Sequence, residues 1–168
     1  LLREVCKEHQ FFERLSECFT DYRNPILTTH SVESLLKQRI YGLCCGYEDL
    51  SDHDAVRNDA VFQLLIGNNP ETDTALASHS TLNRLELTGA TSSPEARYKK
   101  VVCNQEKVEA FMLSMFIEHA KREKLSELIL DLDATDIPLH GKQEDRHYHG
   151  YYGHHCYLPL YIFCDEFP

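Results

Sequence analysis

The chain has 168 residues, 42% hydrophobic and 26% charged, which is enough apolar material to bury a core and ordinary for a globular protein in water. Its formal charge of −10 argues against a strong general DNA binder, because nonspecific affinity comes from Lys and Arg neutralising phosphates. No apolar run is long enough to span a bilayer, and the opening LLREVCKEHQFFERL lacks the charged-then-apolar order and small-residue cleavage site of a signal peptide.

Residues 1–20 read as one helix with Leu2, Val5, Phe12, Leu15 and Phe19 near one stripe, stopped by the turn sequence Asp21-Tyr22-Arg23-Asn24-Pro25. A second helix follows. Ser31 is its N-cap, and Val32, Leu35, Leu36, Ile40, Leu43, Cys44 and Tyr47 recur at three and four residues, with Gly46 near the end. Ser51-Asp52-His53-Asp54 is an S-x-x-D start signal for a short helix. Asp59 to Ile66 makes another, ended by Gly67-Asn68-Asn69-Pro70, and Ser80 to Leu85 one more after a polar stretch. Arg84 on that last helix is a candidate phosphate contact, against the alternative of plain helix packing.

Residues 88–100, TGATSSPEARYKK, are small and polar and fit a loop or linker. The expected organisation is a helical region over 1–87, a linker over 88–103 and a further domain from 104 to 168. Arg97, Lys99, Lys100, Lys107, Lys121, Arg122 and Lys124 form a local basic cluster that either offsets the acidic total as a DNA patch or is simply solvated. Lys99 and Lys100 join Arg84 as the DNA-contact candidates. From Asn104 to Lys124 the chain is helical, with Val108, Phe111, Met112, Met115 and Phe116 on one core-facing side.

The stretch Glu127 to Phe163, ELILDLDATDIPLHGKQEDRHYHGYYGHHCYLPLYIF, carries the chemistry. Alternation puts Leu128, Leu130 and Leu132 on a buried face of a strand and Ile129, Asp131 and Asp133 on the other. Carboxylates at a strand end can hold a hard divalent cation such as Mg²⁺, which prefers oxygen ligands. A lone Asp there is also an ordinary turn or cap residue. Two further strands are expected over His147–Tyr152 and Cys156–Phe163, joined as a hairpin at Gly153. The sheet so begun has an open edge, which invites pairing with a second copy.

His147, His149, His154, His155 and Cys156 cluster in this stretch, but no second Cys/His pair stands at finger-like spacing, so packing or surface histidines are expected ahead of structural zinc. Seven cysteines, Cys6, Cys18, Cys44, Cys45, Cys103, Cys156 and Cys164, include no C-x-x-C pair and mostly have apolar neighbours, the pattern of reduced thiols in a cytoplasmic protein. Cys44-Cys45 reads as core packing. Neither a G-x-S-x-G elbow nor a Walker phosphate loop is present.

LDLDATDIPLHG followed by HGYYGHHCYLPLYIF resembles the opening of the catalytic domain of DDE transposases from bacterial insertion sequences, and LLKQRIYGLCCGYEDLSDHDAVRND with STLNRLEL resembles that family's helical N-terminal region in the family's order. The resemblance implies an α+β fold, mainly α: a helical region, a candidate for binding DNA ends, followed by the first three antiparallel strands of a ribonuclease H-like domain. It implies Mg²⁺- or Mn²⁺-dependent cleavage and transfer of DNA strands, with transposon ends and target DNA as partners, in a cytoplasmic homodimer. Asp133, in the LDxDxT context with Thr135 two residues on, is the family's first catalytic and metal-binding Asp; Asp131 is the alternative, and Asp136, past the strand end, is a loop acid or one that supports the metal ligands from outside. The family's second Asp and final Glu are expected well after the third strand, and Asp165 and Glu166 are too close to it. The expectation is therefore an N-terminal fragment, also lacking an initiator Met, that is inactive alone. The rival expectations are a non-catalytic helical DNA-binding or interaction module, and a nuclease of the same fold.

Overall fold

In a computed structural model, residues 1–89, 91–125 and 127–164 are described, and the chain divides into two units, Leu1–Phe116 and Ile117–Pro168. Asp165 and Glu166 lie outside the described residues. The architecture is α+β and mainly α.

The first unit begins with α1 (Leu2–Glu8) and α2 (Phe11–Ser16), where one helix is expected from periodicity. Gln10 interrupts it in the left-handed region, φ 50°. The break turns Phe12 onto Tyr41 and Phe11 onto Phe111, edge to face in both cases. Strand β1 (Phe19–Asp21) follows and pairs antiparallel with β2 (Val101–Cys103), Phe19 opposite Cys103 and Asp21 opposite Val101. This pairing takes Phe19 out of the expected helix and converts the end of the expected linker into strand.

The central helix α3 (Val32–Cys44) starts where its cap residue predicts: Ser31 Oγ accepts from the Ser34 N–H at 3.1 Å. Val32, Leu35, Leu36 and Tyr41 are buried, while Leu43 and Cys44 are exposed and Gln38 is buried in their place. α4 (Asp52–Val56) follows the Ser51 signal, although the Ser51 hydroxyl bonds Asp49 instead of capping the helix. α5 (Ala60–Ile66) is capped by Asp59, whose Oδ1 accepts from the Phe62 N–H at 2.8 Å, and is closed by Gly67 at φ 106°, a conformation that favours glycine. α6 (His79–Glu86) buries Leu82 and Leu85. α7 (Gln105–Arg122) starts from Asn104, whose Oδ1 accepts from Lys107 N–H, and buries Phe111; Met112 of its expected apolar face is exposed. The core gathers Phe12, Leu35, Tyr41, Phe62, Ile66, Leu76, Leu82, Val101 and Phe111 with their neighbours.

In the second unit, β3 (Leu130–Ala134) pairs antiparallel with β7 (Leu160–Cys164), and β4 (Ile137–Pro138) and β5 (His147–His149) flank β6 (His154–Tyr157). The expected third strand is thus present as two pieces, β6 and β7. Pro159 stands between them; it has no N–H to give to a ladder, and its carbonyl accepts from Thr135 N–H at 3.1 Å. The expected hairpin at Gly153 is also present, shortened: Gly150 to Gly153 form its turn, and Gly153, at φ 73°, donates to the His149 carbonyl at 2.8 Å.

Candidate functional site

The β3–β7 register decides what each face of the ribbon carries. Leu130, Leu132 and Ala134 stand opposite Cys164, Ile162 and Leu160, while Asp131 stands opposite Phe163 and Asp133 opposite Tyr161. Cross-strand partners share a face, so Asp131 and Asp133 lie on one side with two stacked aromatic rings, and the aliphatic residues lie on the other, where Leu130 and Leu132 are exposed although alternation predicts a buried face. Both acids are exposed, and neither carboxylate has a hydrogen-bond or ion-pair partner among the described residues. They offer unneutralised oxygen donors, the chemistry a hard divalent ion selects.

Asp136 has a different setting. It occupies the loop between β3 and β4, and both its oxygens receive His154 Nε2, at 2.8 and 3.1 Å. Cys156 lies two residues beyond His154 on the same face of β6, and one ligand atom from each of Asp136, His154 and Cys156 falls within 4.8 Å of the others. His147, directly across the ladder from Cys156, brings its Nε2 to 3.9 Å from the sulfur. Cys156 is fully buried, and burial together with the Asp136 carboxylate pushes its thiol up from the ordinary value. Of the clustered histidines without finger-like spacing, register and one loop acid bring His154 and His147 to Cys156.

The DNA-contact candidates converge in the first unit. Arg84 from α6 and Lys99 and Lys100 from the segment before β2 line a cleft of about 530 Å³ together with Arg23, Arg97 and Tyr98. Arg97 lies over the Tyr98 ring at 5.2 Å, and Lys100 Nζ donates to the Pro94 carbonyl at 2.7 Å. Arg23 is held by a bidentate pair with Asp21 at the end of β1. Five cations therefore line one cavity in a chain whose total charge is negative. Arg23 was not legible as a member, because only the β1–β2 pairing brings it near residues 97–100. Lys107 lines a separate depression with Arg14 and Glu17.

A second Asp–His contact sits at the start of α6. Asp54 accepts from the His79 backbone N–H at 2.9 Å and contacts its ring, whose other nitrogen is 3.1 Å from Ser80 Oγ. Those two bonds from His79 hold the Asp54 carboxyl below the usual range. The contact fastens α4 to the first turn of α6, and all three side chains are exposed.

A family model described as Transposase DDE domain group 1 matches residues 1–168. No curated protein matches the chain, and neither does any solved structure. No helix among the described residues is long and apolar enough to cross a membrane.

Proposed function

This chain belongs to the transposase DDE domain group 1 family, and we propose that it contributes the first catalytic acid, Asp133, to metal-dependent cleavage and transfer of DNA strands at the ends of an insertion sequence. The observation that carries the assignment is the position of Asp133 on β3, exposed, unpaired and on the same face as Asp131. Asp133 holds Mg²⁺ or Mn²⁺ on this reading, with Asp131 as its neighbour or substitute. When bound, such an ion polarises a phosphoryl oxygen and lowers the pKa of a water or hydroxyl nucleophile. The two carboxylates hold the ion's position relative to β3, whose ladder with β7 fixes the spacing of Asp131 and Asp133. A DDE set needs two further acids, and none of the described residues is assigned to either.

The cleft of Arg23, Arg84, Arg97, Lys99 and Lys100 receives DNA phosphates. Its cations supply local attraction that the net charge of −10 denies to the surface as a whole. Transposon ends and target DNA are the partners, and the working form is a cytoplasmic homodimer.

The test is cleavage and joining of a labelled duplex bearing a transposon end by the transposase that contains this chain, with Asp133→Asn and Asp131→Asn compared in Mg²⁺ and Mn²⁺. Loss of both reactions in Asp133→Asn supports the assignment. Full activity in Asp133→Asn overturns it, and loss confined to Asp131→Asn moves the role to that residue.

A further inference from the structure

The geometry points to a second metal site, distinct from the β3 acids and selective for a borderline transition metal of the zinc type, with Asp136, His154 and Cys156 as its protein ligands. Three separate features of the second unit converge on it. Period-two alternation puts His154 and Cys156 on one face of β6, the loop after β3 delivers Asp136 to that face, and His147 stands across from Cys156 on β5. The donor set is one thiol, one imidazole and one carboxylate. Thiolate and imidazole favour zinc-like ions over magnesium, whereas Asp131 and Asp133 present oxygen alone.

The distances suit the assignment. Ligand atoms on a tetrahedral zinc stand roughly 3.3–3.8 Å apart, given bond lengths of about 2.0–2.3 Å. The three donor atoms here lie within 4.8 Å of one another, with the His154–Asp136 contact at 2.8 Å, so side-chain shifts of about an ångström reach that geometry. Burial also fits. Cys156 is wholly enclosed and the Asp136 side chain is 19% exposed, while the His154 side chain, 39% exposed, leaves a path for the ion. His147 Nε2, 3.9 Å from the sulfur, is a further donor beside the cluster.

Such an ion ties the end of β3 to β6. Asp136 is three residues beyond Asp133, so the site braces the segment that carries the acid without taking part in its chemistry. The inference does not depend on the transposase reading, because its ligands and its metal class are different.

The deciding experiment is titration of the metal-free 168-residue chain with Co²⁺ in excess Mg²⁺, followed by visible and near-ultraviolet absorption and by Zn²⁺ displacement. The expected result is one Co²⁺ per chain with a thiolate-to-cobalt charge-transfer band, displaced by one equivalent of Zn²⁺ and unaffected by Asp131→Asn with Asp133→Asn. His154→Gln and Cys156→Ser each weaken binding at least tenfold, and Cys156→Ser removes the band. His154 is part-exposed, so His154→Gln carries the test if Cys156→Ser does not fold, as judged by circular dichroism. Absence of the band, binding displaced by Mg²⁺, or unchanged affinity in a folded His154→Gln overturns the proposal.

Discussion

Gln38 and Ala77 close a ring of two hydrogen bonds: the Gln38 side-chain N–H donates to the Ala77 carbonyl, and the Ala77 N–H donates to Gln38 Oε1, each at 2.9 Å. Both residues are 1% exposed. A glutamine amide here substitutes for a strand partner, satisfying a backbone segment that has no ladder of its own. Gln38→Ala leaves a buried N–H and a buried carbonyl without partners and should cost about 2–4 kcal/mol, since an unsatisfied buried group costs roughly 1–3 kcal/mol. Urea unfolding of the two proteins measures it, and a loss under about 0.5 kcal/mol would contradict the ring's importance.

Gly42 faces His53 across the α3–α4 contact. A Cβ built on Gly42 comes 2.5 Å from His53 Cε1, and His53 is fully buried, so it has no room to retreat. Gly42→Ala should therefore destabilise the first unit by about 1–3 kcal/mol, the usual range for overpacking, despite the better helix propensity of alanine. Thermal unfolding that shows Gly42→Ala to be as stable as the parent would refute the close approach.

His53 also sets a pH dependence. Both ring nitrogens are buried without a hydrogen-bond partner among the described residues; burial, and then the nearby Arg39 cation, lower its pKa from 6.5, with Asp52, Glu86 and Asp54 acting the other way. His30 is lowered as well, by burial and by Arg57 and Arg23. In each case the unfolded chain takes up the proton first. Their contribution is complete above the ordinary value of 6.5 and is lost as pH falls from there through the lowered folded value. Unfolding free energies measured from pH 8 down to about 5 should fall on the acid side, and His53→Phe should flatten part of the slope.

The cationic cleft predicts a salt signature. If Arg84, Lys99 and Lys100 each neutralise a phosphate, the triple alanine variant should reduce the slope of log K against log salt by roughly 2.7, at about 0.9 per contact on duplex DNA. Fluorescence anisotropy over a salt series gives the slope. An unchanged slope would remove these three residues from the interface, whatever happens to the affinity at one salt concentration.

Local chemistry made much of this fold legible. Ser31, Asp59 and Gly67 announce their helix ends because capping depends on one side chain and its immediate backbone. The break at Gln10 carries no such mark, since the packing of Phe11 and Phe12 on distant rings produces it. Periodicity likewise assigns Leu43 and Cys44 to the core, but the buried arc of α3 runs through Gln38 and Tyr41, because an amide with both ends bonded can be buried. In the second unit, alternation separates the acids of β3 from its leucines, but Leu130 and Leu132 are exposed where it predicts burial. The Asp136–His154–Cys156 cluster escapes a count of residues along the chain, because its members meet through strand register and a loop. Arg84, Lys99 and Lys100 were recognisable by charge alone, whereas their shared cleft with Arg23 follows from tertiary pairing.

The pairing of Phe19 with Cys103 also governs how the protein emerges from the ribosome. Translation proceeds from the N-terminus, so β1 is synthesised long before its strand partner β2 and must wait while α3 to α6 appear. The core that α3 to α6 help to form is completed only when β2 and Phe111 are added. A nascent chain stalled before residue 101 would therefore carry Phe19 without its strand partner and Phe11 without the Phe111 ring, while Phe12 already has Tyr41, which makes that interval of synthesis the one in which a chaperone holding α2 and β1 matters most.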